Sequence, residues 1–280
     1  MEIKHYYLHK KNERLKAFLN KYNISYIEDW IKGEKVYLFE ILESDIVYKN
    51  VKKFFPLTWD RGFKVLYSKQ EIEAAQWFVV KNSTEKVIAD IPYEDACFEK
   101  ACPYSKIFSR EIYYRHHKQI DLLSVDTINK FKNRFFCGID WGNQNYLFCS
   151  EKAKILLGEK WGGLEFWNIK KRTTNKEVEG IYQMFFRKQI PLEAFVFDDF
   201  GKMKTCSGCG KNYIYTTKAF FQIKLRKEYV NNIKNVYSTG YIFSDGQQDY
   251  EYHIVPHSFY EFCEINKMNK GMIYEPILLV

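Results

Sequence analysis

Two cysteines separated by two residues, Cys206 and Cys209 in the run CSGCGK, are the most specific local signal in this 280-residue sequence. Thiolates at that spacing, with a glycine following, form a tight turn that can present both sulfurs to one zinc ion, as in zinc ribbons and knuckles. A tetrahedral site takes two further Cys or His ligands, and the sequence has no second CxxC. Cys97 and Cys102, the pair His116 and His117, or the pair His253 and His257 could supply them. The expectation is a zinc site on Cys206, Cys209, Cys97 and Cys102; the alternative is a metal-free turn holding two ordinary thiols. A redox role is disfavoured because the strand-to-helix setting that lowers a thiol pKa is missing.

Asp198 and Asp199 could ligate a metal or act as acid and base, but adjacent carboxylates on a strand point to opposite faces. They read instead as opening the turn before Cys206. His116 and His117 face apart for the same reason. No G-x-S-x-G, H-E-x-x-H, Walker loop or G-x-G-x-x-G is present, so the sequence offers no recognisable catalytic site. The expectation is a non-enzymatic binding protein.

The elements that must position such residues belong to an ordinary globular chain, 46% hydrophobic and 28% charged. It carries 23 Phe, 22 Tyr and 6 Trp, an aromatic excess suited both to sheet cores and to protein interfaces. The net charge of +8 is mostly scattered, with Lys10 and Lys11, Lys52 and Lys53, and Lys170 to Arg172 the densest spots. Such a balance permits an acidic partner or a nucleic acid. No window approaches the roughly 18 apolar residues that cross a bilayer, and the opening MEIKHYYLHKKNERLK lacks a signal peptide's apolar run. A cytoplasmic protein is expected, in which seven cysteines, an odd number, serve as buried thiols or metal ligands.

Leu15, Phe18, Leu19 and Tyr22 fall at helical spacing and predict an amphipathic helix over 10–22. KVYLFEIL at 35–42 reads as a strand, and 47–55 as a weaker extended stretch closed by Pro56. Ser68 and Glu71 fit a capping box between the strands FKVLY and WFVV. The stretch 90–118 is irregular and marks a boundary between an N-terminal region, 1–118, and a C-terminal region, 119–280. A helix is expected around 126–132, and a turn at Gly138 to Gly142.

Residues 147–169 line up with 254–277, with one inserted residue, as strand, short helix, glycine and strand. Gly163 and Gly271 fall at the place where a helix commonly ends in a left-handed conformation. A third such unit is read at 65–80. The fold class that follows is α+β: mixed or antiparallel sheets, short helices packed on one face, and repeated strand-helix-strand units.

In YLFCSEKAKILLGEKWGGLEFWNI, EGIYQMFFRKQI and CSGCGK, spanning Tyr146 to Lys211, the chain resembles the immunity-protein-like families of bacterial polymorphic toxin systems. The nearest group among them is named for two CxxCG motifs. The resemblance implies a protein that binds and neutralises a toxin partner, with Cys206 and Cys209 as its transferable residues. The first CxxCG of that group is absent here. A zinc-ribbon protein binding nucleic acid through its basic balance and stacked aromatics is the alternative.

Overall fold

Alternation of side chains along EKVYLFEIL sends Tyr37, Phe39 and Ile41 to one side, where all three are buried with Tyr7 of the adjacent strand. A computed structural model describes residues 1–56, 58–82, 124–125, 135–137, 147–171, 174, 176–197, 201–205, 212–216, 222–230, 235–240, 243–244 and 249–280. It divides the chain into two compact units, Met1–Ala74 and Ala75–Val280. The boundary expected at 118 lies outside the described residues. Among the described residues, no helix is long and apolar enough to cross a membrane.

The first unit runs β1 (Glu2–Lys10), α1 (Glu13–Lys21), β2 (Tyr26–Ile31), β3 (Glu34–Leu42), α2 (Tyr48–Phe54), β4 (Trp59–Leu66) and α3 (Lys69–Ala74). Its sheet has the order β2-β3-β1-β4, and every neighbouring pair is antiparallel. β1 and β2 therefore run parallel on either side of β3 and are joined through α1. β3 and β4 flank β1 in the same way and are joined through α2. Two interleaved split β-α-β units of this kind make the ferredoxin-like arrangement.

Leu15 and Leu19 of α1 and Val47, Val51 and Phe55 along α2 bury themselves on Tyr7, Tyr37, Phe39 and Ile41. The 47–55 stretch, expected to be extended, is thus helical: its apolar residues recur every four positions and cover the sheet, which outweighs the strand preference of its valines. Local signals close the helices. The Asn12 side chain accepts from the Arg14 N–H (2.8 Å) at the start of α1. Asn23 ends α1 at φ 53°, where the Ile24 N–H donates to the Leu19 carbonyl (2.9 Å) and the Asn23 N–H to that of Asn20 (3.2 Å). Ser68 and Glu71 form the predicted capping box, Ser68 N–H to the carboxylate at 2.8 Å and Glu71 N–H to the hydroxyl at 3.2 Å.

The second unit contains β5 (Trp77–Asn82), β6 (Ser124–Val125), β7 (Phe136–Cys137), β8 (Leu147–Ser150), α4 (Glu151–Lys160), β9 (Leu164–Lys171) and β10 (Lys176–Phe186). It continues through β11 (Gly201–Thr205), β12 (Asn212–Thr216), β13 (Lys224–Leu225), α5 (Lys227–Val230), β14 (Tyr237–Ser238), β15 (Phe243–Ser244) and β16 (Asp249–Tyr250). β17 (His253–Pro256), α6 (His257–Ile265), β18 (Met272–Pro276) and β19 (Leu278–Leu279) complete it. The sheets are ordered β6-β9-β10-β8-β7, β11-β12-β15-β16, β13-β19 and β14-β17-β5-β18. Most pairs are antiparallel, with parallel pairs at β6–β9, β12–β15 and β13–β19, so the fold is α+β with mixed sheets.

Within this unit β8 and β9 flank β10 and are joined through α4, and β17 and β18 flank β5 and are joined through α6. α4 buries Ala153 and Leu157, and α6 buries Phe259 and Cys263, in each case two residues four apart. The outer neighbours β7 and β14 are antiparallel to β8 and β17, as β4 is to β1. One difference separates the sheets. β3 and β10 directly follow the second strand of their crossover, whereas β5 comes from far upstream. β4 and β5 fall in different sheets, so 65–80 is not one strand-helix-strand unit.

The two glycines expected to end helices do other work. α4 ends at Trp161, and α6 ends in a left-handed Lys267 (φ 55°), whose N–H donates to the Glu264 carbonyl while the Met268 N–H reaches that of Cys263 at 2.7 Å. Gly163 and Gly271 are sites of close approach. A Cβ at Gly163 would stand 2.8 Å from Asn235 Oδ1, and one at Gly271 (φ 104°) 2.6 Å from the Phe136 carbonyl oxygen.

Candidate binding edge and polar clusters

Cys206, Cys209, Cys97 and Cys102, together with His116, His117, Asp198 and Asp199, lie outside the described residues. What is described is the pair of strands on either side of CSGCGK. β11 and β12 are antiparallel, and their register closes at Thr205↔Asn212, where the Thr205 hydroxyl donates to Asn212 Oδ1 at 2.8 Å. Among the described residues, no three His, Cys, Asp or Glu side chains gather as a metal site. The other two histidine candidates have separate settings. His253 is buried on β17 with its ring stacked 4.4 Å from that of Phe186. His257 opens α6, and its Nδ1 lies 2.6 Å from the Ala75 carbonyl, so that nitrogen carries the proton.

Thiol chemistry is equally unsupported at Cys149 and Cys263. Both are fully buried, and desolvation pushes the Cys149 thiol far up and the Cys263 thiol up to about 12, which holds them neutral and inert.

Ser238, Glu251 and His253 are the residue types of a nucleophile set, and Ser238 and His253 face each other across β14 and β17. Their hydrogen bonds assign them a different task. The Ser238 hydroxyl, with no exposed surface, accepts from the Gly240 N–H (2.8 Å) and donates to the Glu251 carboxylate. Thr239 Oγ1 accepts from the Tyr252 N–H (2.8 Å) and donates to the Gly240 carbonyl (2.9 Å). Backbone bonds tie Ser238 to Lys188 (2.7 Å) and Ile190 (3.0 Å). A nucleophile must reach substrate; this serine, wholly buried, does not, and the cluster fixes the path of residues 238–240 instead.

Two polar clusters sit on the sheet that holds β10. Tyr182 donates to Glu151, whose carboxyl it holds below the usual range, and Lys154 lies 3.8 Å from the Tyr182 ring centroid. The Arg187 guanidinium likewise holds Glu165 low, while the Trp167 indole N–H donates to the same carboxylate at 3.1 Å. Charge in both is paired off locally.

A surface of the first unit left unmatched by the described residues is β2. Among the described residues it is an outer strand, so one side of its backbone faces no partner strand. It also exposes Ile27 (68%) and Trp30 (62%), and Lys35 Nζ lies 5.1 Å from the Trp30 ring centroid. Period two sends those two side chains to opposite faces, with Glu28 and Asp29 between them. Lys11 pairs with Glu28 at 3.3 Å. The sequence signal for this edge, YIEDWI, has strand formers around two acids, a pattern that charge at the centre obscures.

No protein-family model, no curated protein and no solved structure matches this chain.

Proposed function

We propose that the chain is a non-catalytic protein-binding module that neutralises a bacterial toxin, or a related partner in bacterial conflict, by gripping it along β2. The observation that carries the binding mode is an open strand edge flanked by an exposed Trp30 and Ile27. Unpaired backbone groups template an added strand, and flanking side chains select it. Trp is the side chain most often found as an energetic anchor at interfaces. The resemblance over Tyr146–Lys211 supports the toxin as the partner. Zinc at Cys206 and Cys209 belongs to the same proposal and is supported by the paired strands β11 and β12 on either side of the motif.

Co-expression with the product of the neighbouring gene tests the reading. The wild-type chain restores growth and co-purifies with that product, and Trp30→Ala weakens the complex by about thirtyfold without changing the circular dichroism spectrum. Association by an apolar edge changes little between low and high salt, whereas phosphate contacts make it fall steeply. Absence of both rescue and complex with the wild-type chain overturns the proposal.

A further inference from the structure

Helices α1 and α2 of the first unit carry charge almost wholly of one sign. Over Glu13–Lys21 and Tyr48–Phe54 there are six cations, Arg14, Lys16, Lys21, Lys49, Lys52 and Lys53, against the single acid Glu13. Among the described residues, Arg14, Lys16, Lys21, Lys49 and Lys53 have no ion-pair partner. Elsewhere in the same unit, by contrast, Lys4, Lys10 and Lys11 each hold a glutamate within 3.3 Å. Among the described residues of this unit, α1 and α2 thus carry the larger group of unpaired cations, beside Lys32, Lys35 and Lys64 outside the helices.

An aromatic seam runs through this basic face. The Phe18 ring on α1 lies 4.8 Å from Tyr22 and 6.2 Å from Phe54 on α2, so the rings bridge the two helices. Phe54 is 55% exposed and Tyr22 37% exposed. Two exposed rings joined through the half-buried Phe18 make a place where a third helix can lay an apolar stripe.

The rings themselves choose between partners. Lys21 Nζ stands 5.4 Å from the Tyr22 centroid and Lys53 Nζ 5.9 Å from that of Phe54. An ammonium over each ring occupies a π face, which is the surface a nucleobase would stack on. Apolar ring edges and unpaired ammonium groups remain, a combination that matches leucines flanked by carboxylates.

We propose that the α1–α2 face docks an acidic amphipathic helix of a partner protein. Its apolar stripe lies on Phe18, Tyr22 and Phe54, and its carboxylates meet Lys21, Lys49 and Lys53. This surface is separate from β2 and does not depend on toxin neutralisation.

The test uses the full chain and a synthetic 18-residue helical peptide with leucines on one face and glutamates along both flanks. The wild-type chain binds it with a Kd of roughly micromolar order. Tyr22→Ser with Phe54→Ser weakens binding at least about tenfold, and Lys21→Glu with Lys53→Glu does the same. All four side chains are exposed, so the fold survives, and circular dichroism confirms it. A peptide with its leucines replaced by serine binds about tenfold more weakly, and Trp30→Ala leaves the affinity unchanged. No binding by the wild-type chain overturns the proposal, as does binding indifferent to both double variants. A 20-nucleotide single strand that binds tighter than the peptide, and is lost with Lys21→Glu and Lys53→Glu, would overturn it in favour of nucleic acid.

Discussion

Gly271 shows how much a single hydrogen atom can decide. Its φ of 104° lies where side chains are strained, and the space a Cβ would need is filled by the Phe136 carbonyl at 2.6 Å. Backbone cannot swing aside as a lysine tip can, so Gly271→Ala is expected to cost about 2 kcal/mol or more, read as a fall in the urea midpoint at unchanged slope. Gly163 is a milder case, because the nearest atom belongs to the Asn235 side chain. Glycine was legible at both places in the sequence, but its reason was not. The sequence pointed to helix ends, a local cause; the structure shows contacts with residues 136, 235 and 236, which no local pattern contains.

At the level of elements, the signals that proved readable are those written within one turn or one strand. The capping box at Ser68 and Glu71, the α1 stripe of Leu15 and Leu19, and the strands at 35–42 and 77–80 all appear where their spacing placed them. α2 was hidden because Val47 and Val51 favour strands in isolation, and only the sheet beneath them makes the four-residue period decisive. β1 was hidden by Glu2, Lys4 and Lys10, which alternate with the inward His5, Tyr7 and His9. The cap of α6 yields a prediction. Lys267 sits at φ 55° in the place where glycine usually closes such a motif, and its side chain is exposed. Lys267→Gly is therefore expected to raise stability by about 0.5–1 kcal/mol, measured as a higher thermal midpoint.

At the scale of the whole molecule, most aromatic rings among the described residues are buried or half-buried, and this sets a pH limit. Desolvation holds the Tyr274 hydroxyl well above 10.0, and burial also raises Tyr237. In the unfolded chain these groups ionise near pH 10, while in the folded chain they stay neutral. Their contribution is thus complete below about pH 10 and is lost as the pH climbs past it. The urea midpoint is expected to be level between pH 7 and about 9 and to drop steeply by about pH 11, with phenolate absorbance appearing only as the chain unfolds. A midpoint that stays flat to pH 11 would show that these rings are not shielded from water. The functional surfaces were the hardest part to read at this scale, since exposure of Trp30, Ile27 and Phe54 depends on which face each element turns outward.

The position of β5 between β17 and β18 has a consequence for the nascent chain. Trp77–Asn82 leaves the ribosome with neither neighbour yet made, and both arrive only after residue 252. At ~5–20 residues per second that interval lasts roughly ten to thirty seconds, during which a run of Trp, Phe and two valines has two bare edges. The segment most in need of shelter during synthesis is thus the one that finally lies in the middle of a sheet.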